Sequence, residues 1–209
     1  MGVLERRERE RVETREKILD AARELFIAHG YEGVSMRQIA QKIEYSPTAL
    51  YVHFADKEQL FLELCHGDYR RLAESFVRLA NVPDPVERLR RIGRAYIDFG
   101  LRNPNHYRTM FMTAHPTVHD LEQQGKGNPE EDAYEFLRQT VGEALRAGAF
   151  RPELNDADLI AQTLWAGVHG VISLQIAKCD DAWVPWCAIE KRADLVIDGL
   201  MQGLLRKEP

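Results

Sequence analysis

At 209 residues, with 44% hydrophobic side chains, the chain is long enough for one large domain or two small ones around a substantial core. Its formal net charge of −5 does not announce a nucleic-acid binder, and residues 1–60 carry ten basic against eleven acidic side chains. Any basic surface must therefore come from segregation of charge onto one face. No run of about 18 apolar residues is present, and Met1–Arg15 is charged rather than apolar, so no membrane span and no secretory signal are expected and the location expected is cytoplasmic. The three cysteines (Cys65, Cys179 and Cys187) are odd in number and lack metal-type spacing. They read as reduced thiols, with a redox role for the Cys179/Cys187 pair as the sharper alternative.

Met1–Glu13 is a charged arm in which opposite signs alternate; it is either a helical extension laced by i,i+4 pairs or a solvated tail, and its functional reading is an arginine arm that touches DNA phosphates or the minor groove. Thr14–His29 is the first firm helix. Ile18, Ala21, Ala22, Leu25 and Phe26 form its amphipathic stripe, and Gly30 ends it. Ser35-x-x-Gln38 is a capping box that opens a short helix with Ile39, Ala40 and Ile43 on its apolar face. Only Glu44 and Tyr45 separate it from a second start, Ser46-Pro47, an N-cap followed by a first-turn proline. Tyr45 and Leu50 make a hydrophobic staple there, and Leu50 and Phe54 share the inward face. Two capped short helices joined by a tight turn form a helix-turn-helix, whose second helix reads the DNA major groove.

Asp56-x-x-Gln59 caps a long helix with Leu60, Leu64, Leu72 and Phe76 on one face, closed by Asn81–Pro85. Helical patterning continues through Pro85–Arg102 and Asn105–Thr113, and again from Pro129 to Ala147, with an irregular stretch at Ala114–Asn128. Asp156–Lys178 is apolar on nearly all sides and should be buried on nearly all sides; Gly167 and Gly170 would let another helix approach. Ile189–Leu205 is the last helix. No strand alternation occurs, so the fold class is all-α: an N-terminal three-helix DNA-binding domain followed by a helical domain for ligand binding and dimerisation.

The stretch from about Thr14 to Leu64, with Ala40, Leu50-Tyr51, His53-Phe54 and Lys57-Glu58 in register, resembles the tetracycline-repressor (TetR) family of bacterial regulators. Trp165-x-x-x-His169-Gly170, together with Asn103-Pro-Asn-His-Tyr107-Arg108-x-Met110-Phe111, resembles the W-x-x-x-H-G (WHG) type of C-terminal domain in one branch of that family. Glu44 departs from the pattern. The family has glycine at this place because the turn wants a left-handed residue, and a side chain there costs on the order of 1 kcal/mol. The resemblance implies a charged arm at 1–13, a DNA-binding domain at 14–60 and an effector-binding and dimerisation domain at 61–209. It also implies Arg37 as a contact to a guanine edge or a phosphate, Pro47, Thr48 and Ala49 facing base edges, and Tyr51, His53 and Lys57 on the DNA backbone. Ser35 and Ser46 lie at helix N-termini beside the DNA, and Tyr45 is a DNA contact or a staple residue.

An apolar pocket among Tyr96, Phe99, Tyr107, Met110, Phe111, Phe136, Trp165 and His169 would hold a small, apolar effector; plain core is the competing reading of the aromatics, and a satisfied interior histidine that of His169. A homodimer through 156–178 and 189–205 would account for two such apolar late helices. The partners expected are a double-stranded operator, the effector and a second copy, with no membrane, no cofactor and no metal. No catalytic motif is present, so the protein is expected not to be an enzyme. The expected function is a ligand-responsive repressor on a palindromic operator. The alternatives are an activator of the same family, or an all-helical carrier or enzyme.

Overall fold

The computed structural model describes residues 2–114 and 125–206; the expected irregular stretch falls mostly on 115–124, outside the described residues. Among these the architecture is all-α: α1 (Val3–His29), α2 (Met36–Lys42), α3 (Pro47–Tyr51), α4 (Lys57–Val77), α5 (Pro85–Arg102), α6 (Pro104–Phe111), α7 (Ala133–Arg146), α8 (Ala157–Lys178) and α9 (Ile189–Leu204). One isolated antiparallel bridge, Phe150 to Leu205, is the sole extended pairing among the described residues. The chain divides into two compact units, Met1–Asp68 with Asn105–Gln124, and Tyr69–Pro104 with Gly125–Pro209. This division cuts across the expected 14–60 and 61–209 segments, because the start of α4 and nearly all of α6 group with the N-terminal helices.

In the first unit the stripe of α1 is buried as its spacing dictates. Ile18, Ala22 and Phe26 close a single core with Ile39 and Ala40 of α2, Leu50 and Phe54 from the α3 segment, and Leu60, Phe61 and Leu64 of α4. Phe26, Tyr31 and Phe61 form an aromatic triangle with ring centroids 5.1 to 5.6 Å apart, the packing that gives two very short helices a fixed seat. The charged arm is helical, continuous with α1, and carries an Arg6–Glu10 pair at 2.8 Å.

In the second unit α5, α7, α8 and α9 pack as a bundle. Gly93 on α5 and Gly167 on α8 allow α9 to come close: a Cβ on Gly93 would lie 3.2 Å from Ile197, and one on Gly167 would collide with Leu200. Gly170 has open space instead. Two expectations fail here. The helix expected from Pro129 begins at Ala133, because Asp132 Oδ1 accepts from the backbone N–H of Tyr134 and Glu135, while Asn128 O closes a turn onto Glu131 and Asp132. The local cap overrides the proline. And α8 is not buried all round: Ile160, Ala161, Val168, Val171 and Ile172 are buried, but Leu159, Trp165 and Leu174 are exposed. By length and composition α8 is the one helix among the described residues that could cross a membrane, and it packs against α5, α7 and α9.

Candidate nucleic-acid interface

The helix-turn-helix is built by its caps. Ser35 Oγ accepts from the Gln38 N–H, and the Ser35 N–H donates to Gln38 Oε1 at 2.8 Å, a reciprocal capping box. At α3, Ser46 Oγ accepts from the Ala49 N–H at 3.2 Å, with Pro47 in the first turn. Between them the Tyr45 N–H donates to Ala40 O at 2.9 Å and the Glu44 N–H to Gln41 O at 3.2 Å. This is a Schellman ending, and its left-handed position is Glu44 at φ 60°. The departure from glycine seen in the sequence therefore does not change the turn; the chain bears a Cβ where glycine is favoured. Asp56 Oδ1 then accepts from the Gln59 N–H, and Gln59 Oε1 reaches back to the Ala55 N–H, which starts α4.

These caps leave one face outward. Ser35, Arg37, Tyr45, Ser46, Pro47, Thr48 and Tyr51 are exposed and Ala49 is half-buried. The Arg37 guanidinium has no hydrogen bond or ion pair among the described residues, whereas Lys42 is paired with Glu24 at 2.8 Å. Tyr51 is 53% exposed beside the apolar turn of Leu50 and Phe54, both buried. Two of the expected backbone contacts are more enclosed. Lys57 Nζ donates to Tyr31 O at 2.9 Å and lies 4.1 Å from the centre of the Tyr31 ring, so it ties the start of α4 to the end of the α1 segment. His53 is half-buried, and its Nδ1 is buried without a hydrogen bond among the described residues. Burial first, then the charges of Arg11 and Arg15, hold its imidazole below the usual value.

The sequence reading held Arg11 only as part of the charged arm and gave Arg15 no role. Arg15 sits over the Phe54 ring at 4.5 Å and pairs with Glu63 at 2.9 Å. They continue the inner stripe of α1 backward from Ile18 at helical spacing, Arg15 within the expected helix and Arg11 in the arm that α1 takes up.

The eight expected effector-pocket residues are divided between the units. In the first, Tyr107 and Met110 are buried, and the rings of Tyr107 and Phe111 pack with centroids 4.8 Å apart. In the second, Tyr96, Phe99 and Phe136 are buried core residues. Trp165 Nε1–H donates to Tyr96 Oη at 3.0 Å, and Tyr96 Oη lies 2.9 Å from His169 Nδ1. Burial holds His169 below the usual imidazole value and so favours its neutral form. Among the described residues no group of three His, Cys, Asp or Glu side chains could hold a metal ion. Cys65 is buried and its thiol is pushed up to about 12, chiefly by that burial, which removes its nucleophilic form.

Residues 18–64 match the family described as bacterial regulatory proteins, tetR family, and residues 89–182 match the tetracyclin repressor-like C-terminal domain. The transcriptional repressor AcnR of Corynebacterium efficiens is 44% identical over 64 residues, 31% of this chain and 34% of AcnR, so the match spans about a third of that relative's length. The transcriptional regulator UidR of Escherichia coli is 27% identical over 169 residues, covering 77% of this chain and 80% of UidR. Among solved structures, the TetR-family regulator PfmR from Thermus thermophilus superposes with a TM-score of 0.70 at 25% identity, over 90% of this chain and 99% of that one. An all-α chain with this capped, outward-facing helix pair has the DNA-binding architecture of the helix-turn-helix class. It belongs to the TetR family.

Proposed function

We propose that the protein is a cytoplasmic, ligand-responsive repressor that binds a palindromic operator as a homodimer, with no membrane partner and no turnover of its effector. The observation that carries the DNA-contact reading is the outward face of α2 and α3, where the Arg37 guanidinium, unpaired among the described residues, stands with exposed Thr48 and Tyr51. In this reading Arg37 takes a guanine edge or phosphate. Pro47, Thr48 and Ala49 pack on thymine methyls. Ser35, Tyr45, Ser46, Tyr51 and His53 line the DNA backbone, and Lys57 donates a remaining N–H to phosphate while holding Tyr31. The exposed Leu159 and Leu174 of α8 and Leu195 of α9 support a second copy of the chain across these two helices. Tyr96, Phe99, Phe136, Trp165 and His169 are the groups proposed to meet a small apolar effector. That effector shifts DNA binding only by its differential affinity for the two states of the protein.

The test is fluorescence polarisation on duplexes from the intergenic regions flanking the gene, across a salt series. Tight, sequence-dependent binding with a steep salt slope is expected. Arg37→Ala should alter base preference and Tyr51→Ala should weaken binding to all sequences, each by about tenfold or more. Unchanged affinity in both variants would overturn the contact assignment.

A further inference from the structure

A buried polar cluster in the first unit is used by none of the above. Arg23 of α1, Asp68 of α4 and His106 of α6 meet there. Asp68 is 1% exposed and takes both guanidinium arms of Arg23, Nη1 on Oδ2 and Nη2 on Oδ1 at 3.1 Å. His106 Nδ1 reaches the same Oδ1 at 2.7 Å. A carboxylate oxygen only accepts, so Nδ1 carries the hydrogen. One oxygen thus serves α1 and α6 together, and neither donor can move away without altering the other's bond.

The position of the cluster gives it a consequence. Arg23 lies between Ala22 and Phe26 on the helix whose stripe seats α2 and the α3 segment. His106 lies in the first turn of α6, and the chain leaves the second unit at Pro104 and enters the first at Asn105. We infer that Asp68 and His106 are positioning residues for DNA binding: the His106–Asp68–Arg23 linkage fixes α1, and through it the recognition pair, in the DNA-binding arrangement. The inference rests on the DNA-binding function and adds to it the place where α6 takes hold of α1.

Asp68→Asn would strand a buried guanidinium, and the fold would fail before the question was asked. His106 offers a cleaner pair of variants. Asparagine carries an N–H donor at the same number of bonds from Cα as His Nδ1, and leucine fills the space without a donor. Binding would be measured on a duplex selected by the wild-type protein from a random-sequence pool, with each variant shown to be folded by circular dichroism. H106L should bind about tenfold more weakly, the scale of one lost hydrogen bond to a charged group, while H106N stays within about twofold of wild type. In the DNA-free proteins, hydrogen exchange in residues 18–29 should rise in H106L and stay at the wild-type level in H106N. A folded H106L that binds as wild type, or an H106N as weak as H106L, overturns the inference. A wild-type protein that selects no duplex overturns the DNA-binding reading instead, and the exchange comparison then decides the linkage alone.

Discussion

The two units solve the same problem differently. In the first, the apolar residues that face the core find cover within the chain: Ile18, Phe26, Ile39, Leu50, Phe54 and Leu64 are all at most 1% exposed. In the second, α8 buries one side against α5, α7 and α9 and leaves Leu159 and Leu174 in the open, while α9 leaves Leu195 74% exposed. A unit that closes on itself needs only its own chain to hold its recognition surface. A unit with an open apolar face calls for something else to cover it. The difference teaches where single substitutions will act on the protomer and where they will act on assembly.

The sharpest way to break that contrast is to remove one large side chain from each unit. Phe26→Ala should cost about 3–5 kcal/mol in urea or thermal denaturation, because a fully buried ring that packs on both Tyr31 and Phe61 is lost. Leu174→Glu should leave the protomer fold intact, with a change within about 0.5 kcal/mol at high dilution. It should abolish the rise of melting temperature with protein concentration expected of the wild-type dimer. A wild-type melting temperature independent of concentration would remove the case for a partner on α8.

A smaller effect separates the units by pH. His169 in the second unit and His53 in the first are both held below the usual imidazole value of 6.5, each first by burial. The unfolded chain therefore takes up protons that the folded chain refuses. Stability is intact above about pH 6.5 and falls as the pH drops through that value. His169→Asn keeps a hydrogen-bonding side chain toward the Tyr96 hydroxyl, whichever group donates, and removes the titration, so its acid loss of stability should be smaller than that of wild type, as read by melting temperature from neutral to mildly acidic pH. An equal loss would assign the effect to His53 and the first unit.

Most of the first unit was legible in the sequence because its signals are local. Caps, a staple and a first-turn proline fix α2 and α3 within a few residues, and the stripe of Ile18, Ala22 and Phe26 names its own buried face. What escaped was set by distant contacts. Arg23 looks like one more surface arginine until Asp68, forty-five positions later, is seen to hold it. Lys57 reads as a free cation until Tyr31 is placed under it. The expected pocket residues were nearly all aromatic at helical spacing, but type does not say which of them fold together, and the structure puts Tyr107, Met110 and Phe111 in a different unit from Tyr96 and Trp165. The start of α7 was missed because Pro129 is a plausible first-turn residue, and only the backbone geometry reveals Asp132 as the cap.

The smallest effect belongs to the one residue that departs from the family pattern. Glu44 combines two features that a single substitution would confound: a Cβ at φ 60° and a negative charge in the turn between α2 and α3. Replacing it by alanine keeps the strain and removes the charge; replacing it by glycine removes both. Glu44→Gly should therefore gain about 0.5–1 kcal/mol of stability, while Glu44→Ala gains none. Both should bind DNA more tightly than wild type by a similar factor, most clearly at low salt, where an unfavourable charge near phosphate is least screened. If glycine alone tightened binding, the relevant quantity would be the rigidity of the Schellman turn, and Glu44 would act on recognition through the angle between α2 and α3. If neither did, the charge points away from the DNA, and the departure from glycine would lower stability alone, in a unit whose closed apolar core tolerates the loss.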